Sequence, residues 1–181
     1  MAMRSLCGTL SGILALLVVA PLAVGAPPSW DDQINKPRRF KVLQDFGGAA
    51  VLDQETGLVW EQSPDGTTYV WSPNDASVIQ AALACANKNV GGRKGWRLPS
   101  INELASLIDP SAPAGPTLPA GHPFTNVQSS VYWSATTFFP TPLRTGWAWV
   151  VNLSDGSVGG ALETQAYYVW CVRGGGVMVT Y

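Results

Sequence analysis

Few residues in this chain are of the types that do chemistry. His122 is the only histidine and stands directly before Pro123. A hydroxyl or thiol nucleophile needs a base oriented by a third group, and no Gly-x-Ser-x-Gly and no Ser/His/Asp order supplies one. Asp53, Asp109 and Glu163 are the carboxylates that could pair as acid and base, but nothing in their spacing brings any two together. Asp53 with Glu55 could offer oxygens to calcium; turn chemistry explains the same two residues. Cys85 and Cys171 show no Cys-x-x-Cys pattern, which makes metal binding the weaker use of them. The expectation is therefore no enzyme, no cofactor and no metal.

The elements that position these residues follow an address. Residues 1–26 carry Arg4, an apolar run from Leu10 to Val24 broken by Ser11, Gly12 and Pro21, and a small-residue end at Gly25-Ala26. That is the build of a cleaved secretory signal peptide, and the run is shorter than the roughly 20 apolar residues of a membrane span. Cys7 leaves with it. The protein is expected to be exported, periplasmic or extracellular, with no stable membrane anchor. An oxidising compartment favours pairing Cys85 with Cys171, a closure worth about 4–5 kcal/mol on the chain-entropy model.

Roughly 155 residues remain, enough for one domain with a core. Only 13% of the chain is charged and the net charge is −1, which argues against nucleic acid held by charge. Eight tryptophans and 19 glycines point to an aromatic core threaded by loops.

Residues 27–39 read as a polar linker or loosely docked arm, with order beginning at Phe40. Phe40, Val42 and Phe46 open a strand that Gly47-Gly48 turns. Val51-Leu52-Asp53 and Leu58-Val59-Trp60-Glu61 form a hairpin, with Gly57 supplying positive φ. Ser72-Pro73-Asn74-Asp75 opens a helix through Val78, Ile79, Ala82, Leu83, Cys85 and Ala86 to Gly91-Gly92, with Cys85 on the side of Val78 and Ala82. Residues 109–130 hold Pro110, Pro113, Pro116, Pro119 and Pro123, a long loop of the kind that is usually functional or disordered. Strands follow over 131–136, over 146–153 with Trp147, Trp149 and Val151 on one face, and over 167–173. Segregated strands and helices predict α+β with an antiparallel sheet rather than alternating βαβ.

The strongest local signal is Gly95-Trp96-Arg97-Leu98-Pro99-Ser100-Ile101-Asn102-Glu103-Leu104. Pro99 pushes Leu98 into an extended conformation. Ser100 and Glu103 have capping-box spacing, and Leu104, Leu107 and Ile108 give the helix one apolar face. Trp96 and Leu98 point the same way and are expected to pack on that face. Trp96, Arg97, Pro99, Ser100 and Glu103 are read as scaffold, with Arg97 holding a buried ion pair or backbone carbonyls.

Asp53-x-x-Thr56-Gly57-Leu58-x-Trp60, a helix with one cysteine, Gly95-Trp96-Arg97-Leu98-Pro99 with Glu103-Leu104, Tyr132-Trp133-Ser134 and Cys171-Val172-Arg173 occur in that order. Together they resemble the Lcl C-terminal domain family over about residues 40–175, named after a collagen-like bacterial surface adhesin. The resemblance implies a C-type-lectin-like fold over residues 40–176, a bond from the first-helix cysteine to the last strand, and a surface binding module using the long loop. The Glu-Pro-Asn or Gln-Pro-Asp and Trp-Asn-Asp of calcium-dependent lectins stand at no matching position. The formylglycine-generating enzymes that share the broader fold rely on a cysteine pair in the site. The adhesin's sulfated polysaccharide asks for a basic surface, which only Arg38, Arg39, Lys41, Arg93, Lys94, Arg144 and Arg173 could supply.

The expected partner is a glycan or a surface protein, met by the 109–130 loop and the turn over 138–144. Candidate contacts are His122, Asn126, Phe138, Phe139, Arg144 and Trp147, aromatic faces for stacking and Asn or Arg for directed hydrogen bonds. The second class of function is a structural subunit, with the 27–39 arm or the tail over 177–181 pairing to a neighbour's sheet edge.

Overall fold

The computed structural model describes residues 39–71, 80–112, 115–139 and 146–175. The leader, residues 27–38 of the arm, the helix opening at Ser72, the Val78 and Ile79 positions, Arg144 and the 177–181 tail lie outside the described residues.

The described elements are β1 (Phe40–Leu43), a 3-10 turn (Gln44–Phe46), β2 (Ala50–Asp53), β3 (Val59–Glu61), β4 (Thr68–Val70), α1 (Ala81–Ala86), α2 (Ile101–Ala105), β5 (Val131–Thr137), β6 (Trp147–Asn152), β7 (Ser157–Leu162), β8 (Ala166–Tyr168) and β9 (Val172–Arg173). They form two sheets rather than one, in the orders β1-β2-β3-β9 and β4-β8-β5-β6-β7. Pairing is antiparallel except between β5 and β8, which run parallel at Tyr132 and Tyr168. The class is α+β. Among the described residues no helix is long and apolar enough to cross a membrane.

The expected last strand is split in two. β8 belongs to the five-stranded sheet and β9 to the four-stranded one, and Val169-Trp170-Cys171 crosses between them. Alternation along this crossing makes it the wall between two cores. Val169 and Cys171 join Cys85, Trp96, Leu98, Trp133 and Val150 on one side. Trp170 and Val172 join Trp60, Tyr132, Leu104, Leu107 and Val151 on the other. At the crossing the Glu61 N–H still donates to the Cys171 carbonyl at 3.2 Å, and the rest of the bonding runs through Glu61, which is only 3% exposed. Its Oε2 accepts the Cys171 N–H at 2.9 Å, while its backbone oxygen accepts the Trp170 indole N–H at 2.9 Å.

The Cys85–Cys171 disulfide ties α1 to the crossing, with Cα atoms 5.4 Å apart and a separation of 86 residues. Ala81, Ala84 and Cys85 face inward and Ala82 faces solvent, so the inward stripe differs from the one expected. The helix also ends before Gly91-Gly92. Its last turn tightens as the Lys88 N–H bonds the Cys85 carbonyl, and the Lys88 ammonium reaches Glu61 at 2.9 Å and Asp65 at 2.7 Å. Burial raises the Glu61 carboxyl above its ordinary value, with Lys88 and the Cys171 N–H pulling against it.

The Gly95–Leu104 corner forms with its capping box complete: Ser100 Oγ accepts the Glu103 N–H at 3.3 Å and Glu103 Oε2 accepts the Ser100 N–H at 2.8 Å. Trp96 and Leu98 do not pack on the helix face. Arg97 exchanges both backbone bonds with Val172 at 2.9 Å, which turns Trp96 and Leu98 together into the disulfide-side core. Leu104 and Leu107 enter the opposite core. Arg97 forks onto Glu103 at 2.8 and 2.7 Å and also donates to the Gly174 carbonyl at 2.8 Å. Its side chain is 39% exposed, so the pair is surface-flanking rather than buried.

The arm is docked at its last residue. Arg39 forks onto Asp53 at 3.0 and 2.7 Å, donates to the Ser106 carbonyl at 2.8 Å and reaches Glu55 at 3.1 Å. Asp53 and Glu55, the pair weighed for calcium, are thus ligands of a guanidinium. Phe46 lies in the 3-10 turn rather than in β1, and the expected hairpin of β2 and β3 forms, with Val51 opposite Trp60.

Two predictions follow from this frame. Reducing the disulfide, or replacing both cysteines by serine, is expected to lower the unfolding free energy in urea by about 2–5 kcal/mol; thiols freely alkylated in the native protein would contradict the bridge. Burial works to raise the Glu103 carboxyl, but hydrogen bonds from Arg97 and Ser100 and the Arg97 charge outweigh it and hold it below its ordinary 4.5. A carboxyl lowered in the folded state contributes stability that is complete above the unfolded value and is lost as pH falls through the folded one. Urea midpoints are expected to drop on acidification below that ordinary value, and Glu103→Gln should make the drop smaller.

Candidate functional site

Residues 109–130 form no helix or strand among those described, yet they are well anchored. Leu118 and Phe124 are buried in the core beside Trp170. Gln62 donates to the Pro123 carbonyl at 2.8 Å, and the Thr125 N–H to the Gln62 carbonyl at 2.9 Å. His122 leans on Phe124, ring centroids 5.8 Å apart. Its Nδ1 is buried with no hydrogen-bond partner among the described residues, and burial lowers its pKa below 6.5. Asn126 takes a positive φ of 55° and its amide donates to the Pro64 carbonyl at 2.7 Å. Asn126 therefore braces the loop against the segment after β3, while His122 packs within the loop on Phe124.

The aromatic candidates come together elsewhere, on the outer face of β6 and β7. Between Trp133 and Thr137 the register of β5 against β6 shifts, a bulge of the kind that re-aims a strand. The corner fills it. The Ala135 N–H donates to the Pro99 carbonyl at 2.7 Å, the Ile101 N–H to Thr136 Oγ1 at 3.0 Å, and Ser134 Oγ to the Trp149 carbonyl at 2.8 Å. The Phe138 N–H then donates to the Trp147 carbonyl at 2.8 Å. Its ring is edge-on to Trp149 at 4.5 Å and to Trp147 at 6.2 Å.

Trp149 stands opposite Gly160 and Trp147 opposite Leu162 on β7. A Cβ at Gly160 would fall inside the Phe138 ring, so the ring rests on bare backbone. Neither Trp147 nor Trp149 belongs to either core. Phe139, just past β5, is 64% exposed, and on β7 Leu162 is 43% and Val158 45% exposed. Val151, expected on the face of these tryptophans, is fully buried under α2, so the covered part of the face ends there. The result is a shelf of aromatic rings over a glycine strand.

The shelf brings together Phe138, Phe139 and Trp147, to which Trp149 and Gly160 are added. A glycine pair in the interior of a strand was the available signal for them, because it marks close approach of another group. Glu163 follows β7, its N–H bonded to the Gly146 carbonyl at 2.9 Å and its carboxyl raised by burial. Asp53 is tied to Arg39 and Asp109 to Ser111, both in structural roles. What such a shelf can do chemically is stack against the apolar face of a ring or an apolar side chain.

Gly160→Ala is expected to displace Phe138 and cost about 1–3 kcal/mol through overpacking. The near-ultraviolet circular dichroism of the Phe138–Trp149 pair should change with it; an unchanged spectrum and stability would contradict the packing.

No curated protein matches the chain. The model of the Lcl C-terminal domain matches residues 49–173, which run from the residue before β2 to the end of β9 and leave β1 outside. The match takes in most of the sequence, and the chain belongs to the Lcl C-terminal domain family.

Proposed function

We propose that this protein is an exported, non-catalytic binding module of C-type-lectin-like fold that recognises a glycan, or a surface protein, on the Phe138–Trp147–Trp149 shelf. The single observation that carries the reading is that Phe138 is packed between two tryptophans on glycine backbone, outside both cores, with Phe139 exposed beside it. Rigid rings held in place before binding lose little conformational freedom on contact, which favours stacking ligands. The lectin-like fold is supported by the order of elements, by a disulfide from the first described helix to the crossing before the last strand, and by a long loop without regular structure.

A non-catalytic role is supported by the chemistry committed elsewhere. Both mature cysteines are joined, Glu61 and Asp53 are held in ion pairs, and the shelf is apolar. Export is supported by the disulfide, which persists in oxidising compartments. Arg144, which precedes β6 in the sequence, supplies the directed hydrogen bond in this proposal.

The test is a glycan array on the leaderless chain beside its Trp149→Ala and Phe139→Ala variants. Binding to one sugar class by the parent, weakened about thirtyfold by Trp149→Ala (a loss of about 2 kcal/mol), is expected. Sugar binding that both substitutions leave untouched would remove the shelf from the mechanism.

A further inference from the structure

Ion pairs account for only part of the positive charge. Among the described residues they are made by Arg39, Lys88 and Arg97, while Lys41, Arg93, Lys94 and Arg173 have no carboxylate partner. Strand register carries two of these to one face. Lys41 stands opposite Leu52, Leu52 opposite Val59 and Val59 opposite Arg173, a single row across β1, β2, β3 and β9. Directly opposed residues of antiparallel strands point to the same side. Alternation fixes which side that is: Leu43 and Cys171, each two residues away along its strand direction, pack in the disulfide-side core, while Val42 and Val172 pack in the other. The row therefore lies at the margin of the disulfide-side face, with Lys41 exposed and Leu52, Val59 and Arg173 half-buried.

Phe46 brings a second guanidinium to the Arg173 end. It packs edge-on to the buried Trp96, ring centroids 6.3 Å apart, and the guanidiniums of Arg93 and Arg173 stand 5.0 and 6.0 Å from its own centroid. The approach depends on Gly91, where a Cβ would run into the Phe46 backbone, so the turn carrying Arg93 rests directly on the turn carrying Phe46. Asp45, in that same turn, is exposed and makes no ion pair among the described residues. A guanidinium stacked on a ring keeps its N–H edge available for a carboxylate.

Spacing defines what fits. Adjacent strands lie about 4.8 Å apart, so the backbones of Lys41 and Arg173 are about 14 Å apart with Leu52 and Val59 between them. In an extended peptide residues i and i+4 are about 13 Å apart and share a face with i+2. Acidic side chains at i and i+4 reach Lys41 and the Arg93–Arg173 pair, and an apolar side chain at i+2 covers Leu52 and Val59.

We infer that this face is a second binding surface whose occupant is an extended acidic segment of a partner protein, with carboxylates at i and i+4 around an apolar residue. The apolar middle of the row favours a peptide over a sulfated sugar or a lipid headgroup, which brings charge without a side chain to cover Leu52 and Val59. The surface belongs to the four-stranded sheet, whereas the Phe138 shelf stands on the five-stranded one.

The experiment is fluorescence anisotropy of the leaderless chain with a labelled heptapeptide, Ser-Glu-Ser-Leu-Ser-Glu-Ser, at low ionic strength. Saturable binding is expected, weakened about tenfold when both glutamates of the peptide become glutamine and about as much by Arg93→Gln/Arg173→Gln. Lys41→Gln, at an exposed position, should weaken it about threefold and keeps the test open if the arginine variant fails to fold. Added salt should lower the affinity. Absence of binding overturns the inference, as does equal affinity for the glutamine peptide or binding that these substitutions leave unchanged. Heparin or phosphatidylglycerol vesicles held through Arg93 and Arg173 while the peptide is not held would overturn the protein partner and assign the face to a polyanion or a lipid surface.

Discussion

Everything in this fold leans on the way one short segment is held as it passes between two sheets. Val169-Trp170-Cys171 sends side chains alternately into two cores, so it must be fixed in register on both sides at once. Ladder bonds alone cannot do that, because the segment has left one sheet before it reaches the other. Three further restraints add to the one backbone bond from Glu61 to Cys171: a covalent bond from Cys171 to α1, the Glu61 carboxylate on the Cys171 N–H, and the Trp170 indole bonded back to Glu61. The burial of Glu61 would be costly on its own. Lys88, just past the disulfide helix, offsets it and so couples the covalent and ionic restraints.

The corner is the second level of organisation. Its Arg97 pairs with Val172 immediately after the crossing, and its Pro99 and Ile101 fill the bulge in β5. The direction of Phe138 is thus traceable through a short run of backbone bonds to the crossing itself. The burial of Trp60, Trp133 and Trp170 around this frame removes large apolar areas from water, on the order of 4–6 kcal/mol each before entropic losses. The Phe138 shelf is built on that frame.

Local signals were legible where the deciding physics is local. The capping box, the hairpin of β2 and β3, the Gly57 turn and the proline-rich loop all form as their residues imply. The pairing of Cys85 with Cys171 was likewise legible, because few alternatives exist for them. Packing partners were not. Trp96 and Leu98 share a direction, as period-two alternation requires, but the core they enter depends on the distant Arg97–Val172 bridge. The docking of Arg39 on Asp53, and Glu61 under Cys171, joins residues whose proximity no spacing encodes.

The site divides in the same way. Phe138, Phe139 and Trp147 could be picked out as aromatic residues around one turn, while Trp149 and Gly160 take their places only through the register of β6 with β7. The amino-acid sequence by itself determined the class of fold, the corner and the family pattern, since each rests on propensity, capping or local spacing, and it determined the disulfide partners because few other cysteines compete. Tertiary structure alone decided the two-sheet division, the split of the last strand, and which rings stand free on the surface. Those outcomes depend on long-range packing, where whichever arrangement buries the most apolar surface without stranding a polar group prevails.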